Sequence, residues 1–111
     1  MSKKYKYYYR PEYGSDKLLI EFFEGVGDDS FFKDLLEAIA DIQPVVKHIE
    51  DIRVIDDMAL TIETDYGEFL YSKDIWNMAI IMSESNQRLI DAIEEHLSVS
   101  PYFEREAWVN A

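Results

Sequence analysis

The sequence predicts a two-layer α+β sandwich: a mainly antiparallel sheet of about six strands with two helices on one face, in the order ββαββββα. Three observations predict it. Met58, Leu60 and Ile62 alternate with Ala59, Thr61 and Glu63, the period of a half-buried strand. Thr64-Asp65-Tyr66-Gly67 then supplies turn chemistry, and a second strand returns from Glu68, so this region reads as a meander. Two other stretches, around Leu35 and around Ile90, repeat their apolar residues at helical spacing.

In order, residues 4–10 read as a strand with Tyr5, Tyr7 and Tyr9 on one face and Lys4, Lys6, Tyr8 and Arg10 on the other. The lysines suit a sheet edge, where they discourage pairing with other chains. Pro11 to Asp16 is a turn, and Leu18 to Glu24 is apolar on both faces, as in a central strand. Asp28, Asp29 and Ser30 are N-cap residues for a first helix over 29–42 with Phe32, Leu35, Leu36 and Ile39 facing the core. Pro44 stops it. Residues 45–55 form a β-branched third strand, with a bulge expected near Glu50-Asp51, and Asp56-Asp57 is a tight turn. Strands over 58–63 and 68–72 follow. Residues 75–82 fit strand or helix; the strand is preferred because Ser83 to Asn86 reads as a fresh helix start. The second helix spans 86–97 with Leu89, Ile90, Ile93 and Leu97 inward, and the tail from Tyr102 carries Phe103 and Trp108 for docking.

Length and composition set the class. At 111 residues, 48% hydrophobic and 31% charged, residues 1–111 form one globular domain able to bury a core. With no cysteine, disulfides and thiolate chemistry are excluded, which fits a reducing cytoplasm. The basic N-terminus is not followed by an apolar stretch and so does not read as a secretory signal, and no apolar run reaches membrane-spanning length. A cytoplasmic location is expected. The net charge is −12, yet the first ten residues hold four bases and no acid, leaving −16 over the rest. Such a surface repels nucleic acid and anionic membrane and attracts basic proteins.

Nothing in the residue pattern demands a reaction. His48 and Glu50 share a strand face two residues apart and are the candidate catalytic pair, since a carboxylate can orient an imidazole. A solvated polar pair, common two residues apart on a strand, explains them better. His96 in the last helical turn suits the negative end of the helix. The paired acids Asp28-Asp29, Glu50-Asp51, Asp56-Asp57 and Glu94-Glu95 match no calcium loop, and they are read as caps and solvated corners, so no metal is expected. Gly25-Val26-Gly27 lacks the third glycine and the Lys of phosphate-binding loops, so no nucleotide cofactor is expected. The tyrosine-lysine strand could stack single-stranded nucleic acid, but the remaining charge opposes it.

The leading expectation is a small acidic non-enzymatic domain that binds a protein with a basic surface, as an inhibitor, an immunity-type partner or a nucleic-acid mimic. Tyr5, Tyr7, Tyr9 and Trp108 are the expected contact residues. A homodimer is compatible with this. The alternative is a small enzyme or ligand-binding domain with a pocket between sheet and helices near His48 and Glu50.

Overall fold

A computed structural model describes residues 4–52 and 57–108. It is an α+β sandwich with a seven-stranded sheet and two helices. The strands are β1 (Tyr5–Pro11), β2 (Leu18–Glu24), β3 (Val45–Ile52), β4 (Asp57–Thr64), β5 (Gly67–Lys73), β6 (Ala79–Met82) and β7 (Phe103–Glu106). The helices are α1 (Phe31–Ala38), extended by a 3-10 turn at Ala40–Ile42, and α2 (Gln87–Val99). The sheet order is β3-β4-β5-β6-β2-β1-β7. Every pairing is antiparallel except β1 with β7, so the sheet is mixed.

The connections explain why both helices share a face. Following the antiparallel pairings, β2 and β3 point the same way, and so do β6 and β7. Each helix is therefore a crossover between parallel-oriented strands. α1 travels toward the β3 edge and α2 toward the β7 edge, starting from strands of opposite direction. A half-turn about the sheet normal exchanges both direction of travel and strand direction. Crossovers of one hand consequently put both helices on the same side.

The packed face is built from alternate residues. Tyr5, Tyr7, Ile20, Phe22, Ile62, Phe69, Tyr71, Ala79, Ile81 and Phe103 are buried under Phe31, Leu35 and Ile39 of the first helical segment and Leu89, Ile90, Ile93 and Leu97 of α2. Phe31 meets Tyr5, Phe22 and Phe103 edge-on at 5.1–6.2 Å, joining three neighbouring strands to α1. Leu36, expected in the core, is only half-buried at its margin. Gly25 turns the chain out of β2 with φ +89°. A Cβ there would stand 2.5 Å from the Tyr5 ring and 2.7 Å from the Lys4 carbonyl oxygen, so the turn requires glycine. Asn86 caps α2 by accepting from the Leu89 N–H at 3.2 Å and donates from its amide to the Tyr66 carbonyl, fixing the helix start to the β4–β5 turn.

Several expectations are corrected. The strand count is seven, because the tail forms β7: Phe103 and Arg105 point to the helix side while Glu104 and Glu106 face away. β1 is consequently an interior strand between β2 and β7, and its lysines guard no edge. The bulge lies between Val46 and His48, beside the Lys47 ion pairs, not at Glu50-Asp51. Residues 74–77 form a turn, and the strand is shortened to 79–82. The Asp74 carboxylate accepts from the Trp76 and Met78 backbone N–H groups, and Asn77 adopts φ +58°. Residues 53–55 of the expected third strand and Asp56 of the expected turn lie outside the described residues; Asp57 belongs to β4.

Candidate functional site

The tyrosines of β1 are structural. Alternation sends Tyr5, Tyr7 and Tyr9 under the helices, and each hydroxyl donates to a helical carboxylate. Tyr5 reaches Asp34 of α1 at 2.5 Å; Tyr7 reaches Glu94 of α2 at 3.1 Å; Tyr9 reaches Asp91 of α2. Asp34 and Glu94 are themselves buried, and Arg105 donates to the same Glu94 oxygen at 3.1 Å. Burial, then the Asp34 hydrogen bond, pushes the Tyr5 phenol up to about 12. Burial and the facing carboxylates hold Tyr7 and Tyr9 above the usual phenol range, and burial alone does so for Tyr71. Tyr5 and Tyr7 are 0% exposed and Tyr9 is half-buried, so the first two are core residues and not contact residues. A phenol ring can be buried wherever its hydroxyl finds an acceptor, and the helices supply acceptors that strand periodicity alone does not reveal.

His48 stands on the outermost strand, opposite Thr61 on the face away from the helices, and is exposed. The side chain of Glu50 lies outside the described residues. The hollows formed along α1, along α2 and at the sheet ends by described residues do not include His48. His96 donates from Nδ1 to the Ala92 carbonyl at 2.8 Å within α2, with Asp41 at 3.8 Å from its other nitrogen. Among the described residues no group of three His, Asp or Glu side chains gathers as metal ligands, and no helix is long and apolar enough to cross a membrane.

The face without helices has its own organisation. Tyr8 stacks on Phe23 with ring centroids 4.3 Å apart, and Trp108 folds back from the tail to meet Tyr8 edge-on at 5.2 Å. The Arg10 guanidinium lies 5.0 Å from the Trp108 ring and is oriented by Glu21 at 2.9 Å. Trp108 nonetheless remains 44% exposed. It borders an open hollow of about 610 Å³ at the β1–β2 hairpin, together with Arg10, Glu12, Tyr13 and Asp16, and Tyr13 is fully solvated. Loss of hydration and the Glu84 carboxylate hold the Glu12 carboxyl above its ordinary range. Exposed aromatics and crowded carboxylates thus occupy one end of the sheet.

Sequence reading singled out Trp108 but missed its companions. Arg10 is distant from it in sequence, and only the return of the tail along β1 brings the two together. Comparison with protein-family models, with curated proteins and with solved structures returns no match.

Proposed function

We propose that this chain is a non-enzymatic binding domain that docks onto a basic protein through the hairpin end of its open sheet face. The observation that carries the reading is Trp108, still 44% exposed, on the rim of an open hollow that Glu12 also lines, with the Glu84 carboxylate crowding Glu12. An ordered aromatic beside a hollow is the kind of anchor that dominates interfaces, and it is already fixed by Tyr8 and Arg10, so little ordering remains on docking. Two carboxylates held together are relieved when a lysine or arginine arrives between them. The wider field adds steering: residues 28–41 and 84–99, which include both helices, hold nine acids against two bases. Inhibitors and immunity-type proteins that cover a basic active site, and mimics of nucleic acid, are the concrete forms of such a partner. The alternative, an enzyme with a pocket at His48 and Glu50, gains no support from the exposed position of His48 on the outermost strand.

The test compares the wild-type chain with Trp108→Ala and with the pair Glu12→Lys, Glu84→Lys as baits in native lysate and in titrations against the proteins recovered. The wild type should retain basic proteins with affinity that falls as salt rises, and both variants should lose them at least tenfold. Tight binding of single-stranded DNA or RNA at low salt, abolished by Lys4→Glu with Lys6→Glu and Arg10→Glu, overturns the proposal.

A further inference from the structure

We propose that the hollow between the start of α1 and the end of β5 binds a small apolar α-amino acid, its carboxylate held by Tyr71 and Lys73 and its ammonium by Asp29. The tyrosines on the helix side of the sheet differ in one respect. Tyr5, Tyr7 and Tyr9 each donate to a helical carboxylate. Tyr71 does not. It is 1% exposed, yet its hydroxyl makes no hydrogen bond to a described residue, and burial alone holds its phenol above the usual range. A phenol sealed away without an acceptor would be costly. Among the described residues no fully enclosed side-chain oxygen or nitrogen lacks a partner, so the Tyr71 hydroxyl keeps an opening. That opening is a hollow of about 270 Å³, which Tyr71 lines with Phe32 and Met58.

The rim supplies an uncommitted charge of each sign. Lys73 follows Tyr71 by two residues, so strand alternation sets both on the helix side. Lys73 lines the hollow and forms no ion pair among the described residues. The β2–α1 loop brings Asp28 and Asp29 to the same hollow. Asp28 is already engaged, accepting from the Ser30 N–H and hydroxyl at 2.9 and 2.7 Å. Asp29 is exposed and has no such partner. This loop rests against the 74–77 turn, since a Cβ at Gly27 would stand 3.0 Å from the Asn77 amide nitrogen.

These groups set the class of ligand. The Tyr71 hydroxyl and the Lys73 ammonium can both donate, and together they match a carboxylate. Phe32 and Met58, half-buried beside them, form an apolar floor. Asp29 matches an ammonium. Sites for drug-sized ligands measure about 300–1,000 Å³, so this smaller hollow takes something nearer a single amino acid. Net charge decides between an amino acid and a simple carboxylic acid. The chain carries −12, which repels a bare carboxylate but not a zwitterion. The hollow lies at the end of β2 and β5 away from the β1–β2 hairpin, and the inference stands without the function proposed above.

Titration calorimetry with leucine and phenylalanine tests it, beside leucinamide, which lacks the carboxylate, and isocaproate, which lacks the ammonium. At least one of the two amino acids should bind saturably at millimolar concentration or below. Leucinamide and isocaproate should each bind about tenfold more weakly than leucine, leucinamide despite a positive charge that the field of the chain favours. Lys73→Met should weaken amino-acid binding about tenfold and Tyr71→Phe about fivefold. Asp29→Asn should weaken the amino acid and leave isocaproate no weaker. Because the Tyr71 hydroxyl has no partner among the described residues, Tyr71→Phe should not lower the unfolding midpoint, which separates a lost ligand contact from a damaged fold. Amide shifts on adding the amino acid should centre on residues 71 and 73. No saturable binding of either amino acid overturns the inference. So does leucinamide or isocaproate that binds as tightly as leucine, and so does full affinity in Tyr71→Phe or Lys73→Met. Shifts confined to hairpin residues 10–16 overturn it as well.

Discussion

The two edges of the sheet are built on opposite terms. β7 is four residues long and β3 is eight, so the hydrogen-bonded ladder favours β3. Yet β7 is the better anchored. Its Phe103 is 0% exposed against Tyr5 and Phe31, and its Arg105 reaches the buried Glu94. β3 sets Val46 half-buried against Ile62 and leaves Ile49 mostly in solvent opposite Leu60. The difference teaches that backbone pairing brings an edge into register, whereas inward side chains decide how firmly it is held. Net backbone hydrogen bonds contribute little once water is counted, and apolar burial contributes more.

Truncation at matched places should show this most clearly. Phe103→Ala removes an aromatic side chain from the cluster that joins β1, β2 and α1, and should cost about 3–5 kcal/mol of unfolding free energy. Ile49→Ala removes a side chain that solvent already covers and should cost within ~0.5 kcal/mol. Denaturant unfolding measures both. Equal costs would mean that the β3 edge is packed as firmly as the β7 edge.

Next in size is the tyrosine row, which belongs to the β7 half. Tyr5→Phe leaves the buried Asp34 without its phenol donor and should cost about 1–3 kcal/mol. The same contact sets a pH dependence. The folded-state pKa of Tyr5 is raised to about 12 from 10.0, so folding holds the proton more tightly than the unfolded chain does. The contribution is complete below the unfolded value and is lost as pH rises from there toward the folded one. Stability should fall over that window in the wild type and less steeply in Tyr5→Phe. Unfolding midpoints across alkaline buffers, with tyrosinate absorbance followed in parallel, decide it. A wild type and variant with parallel pH profiles would remove Tyr5 from the account.

How much of this was legible depended on the range of the interaction. Helix faces came through because Leu35, Ile39, Leu89, Ile90 and Ile93 repeat within one element, and all five are buried. The meander came through because Thr64 to Gly67 carries its turn chemistry locally, and the placement of β2 inside the sheet followed from apolar residues on both its faces. β7 did not. Its Phe103-Glu104-Arg105-Glu106 alternation is only four residues long, and its partner β1 lies about a whole chain away in sequence. That omission turned an interior strand into an edge and its buried tyrosines into a surface. The hairpin hollow failed for the same reason: Arg10 and Trp108 meet only after the sheet has closed.

The smallest effect contrasts two lysines that each bridge two carboxylates on the open face. Lys6 stands 3.8 Å from Glu24 and 3.6 Å from Glu106 beside the β7 edge; Lys47 bonds Glu63 and Glu68 at 3.1 and 3.2 Å beside the β3 edge. Exposed pairs gain little, because water and salt screen them and the long side chain must be held still. Lys6→Ala should shift stability by roughly 0–1 kcal/mol. Lys47→Ala should leave the thermal midpoint of the dilute chain within error, despite its shorter bonds. Those bonds to Glu63 and Glu68 do raise the Lys47 pKa, so its small contribution is also present below the unfolded lysine value and fades as pH rises through the folded one. Lysine and tyrosine therefore weaken the fold on the same alkaline side, and the two substitutions separate them. Lys47→Ala should keep nearly all of the alkaline loss that Tyr5→Phe diminishes. An alkaline profile flattened by Lys47→Ala and untouched by Tyr5→Phe would reverse the comparison and make the β3 edge, not the tyrosine row, the firmer half of the sheet.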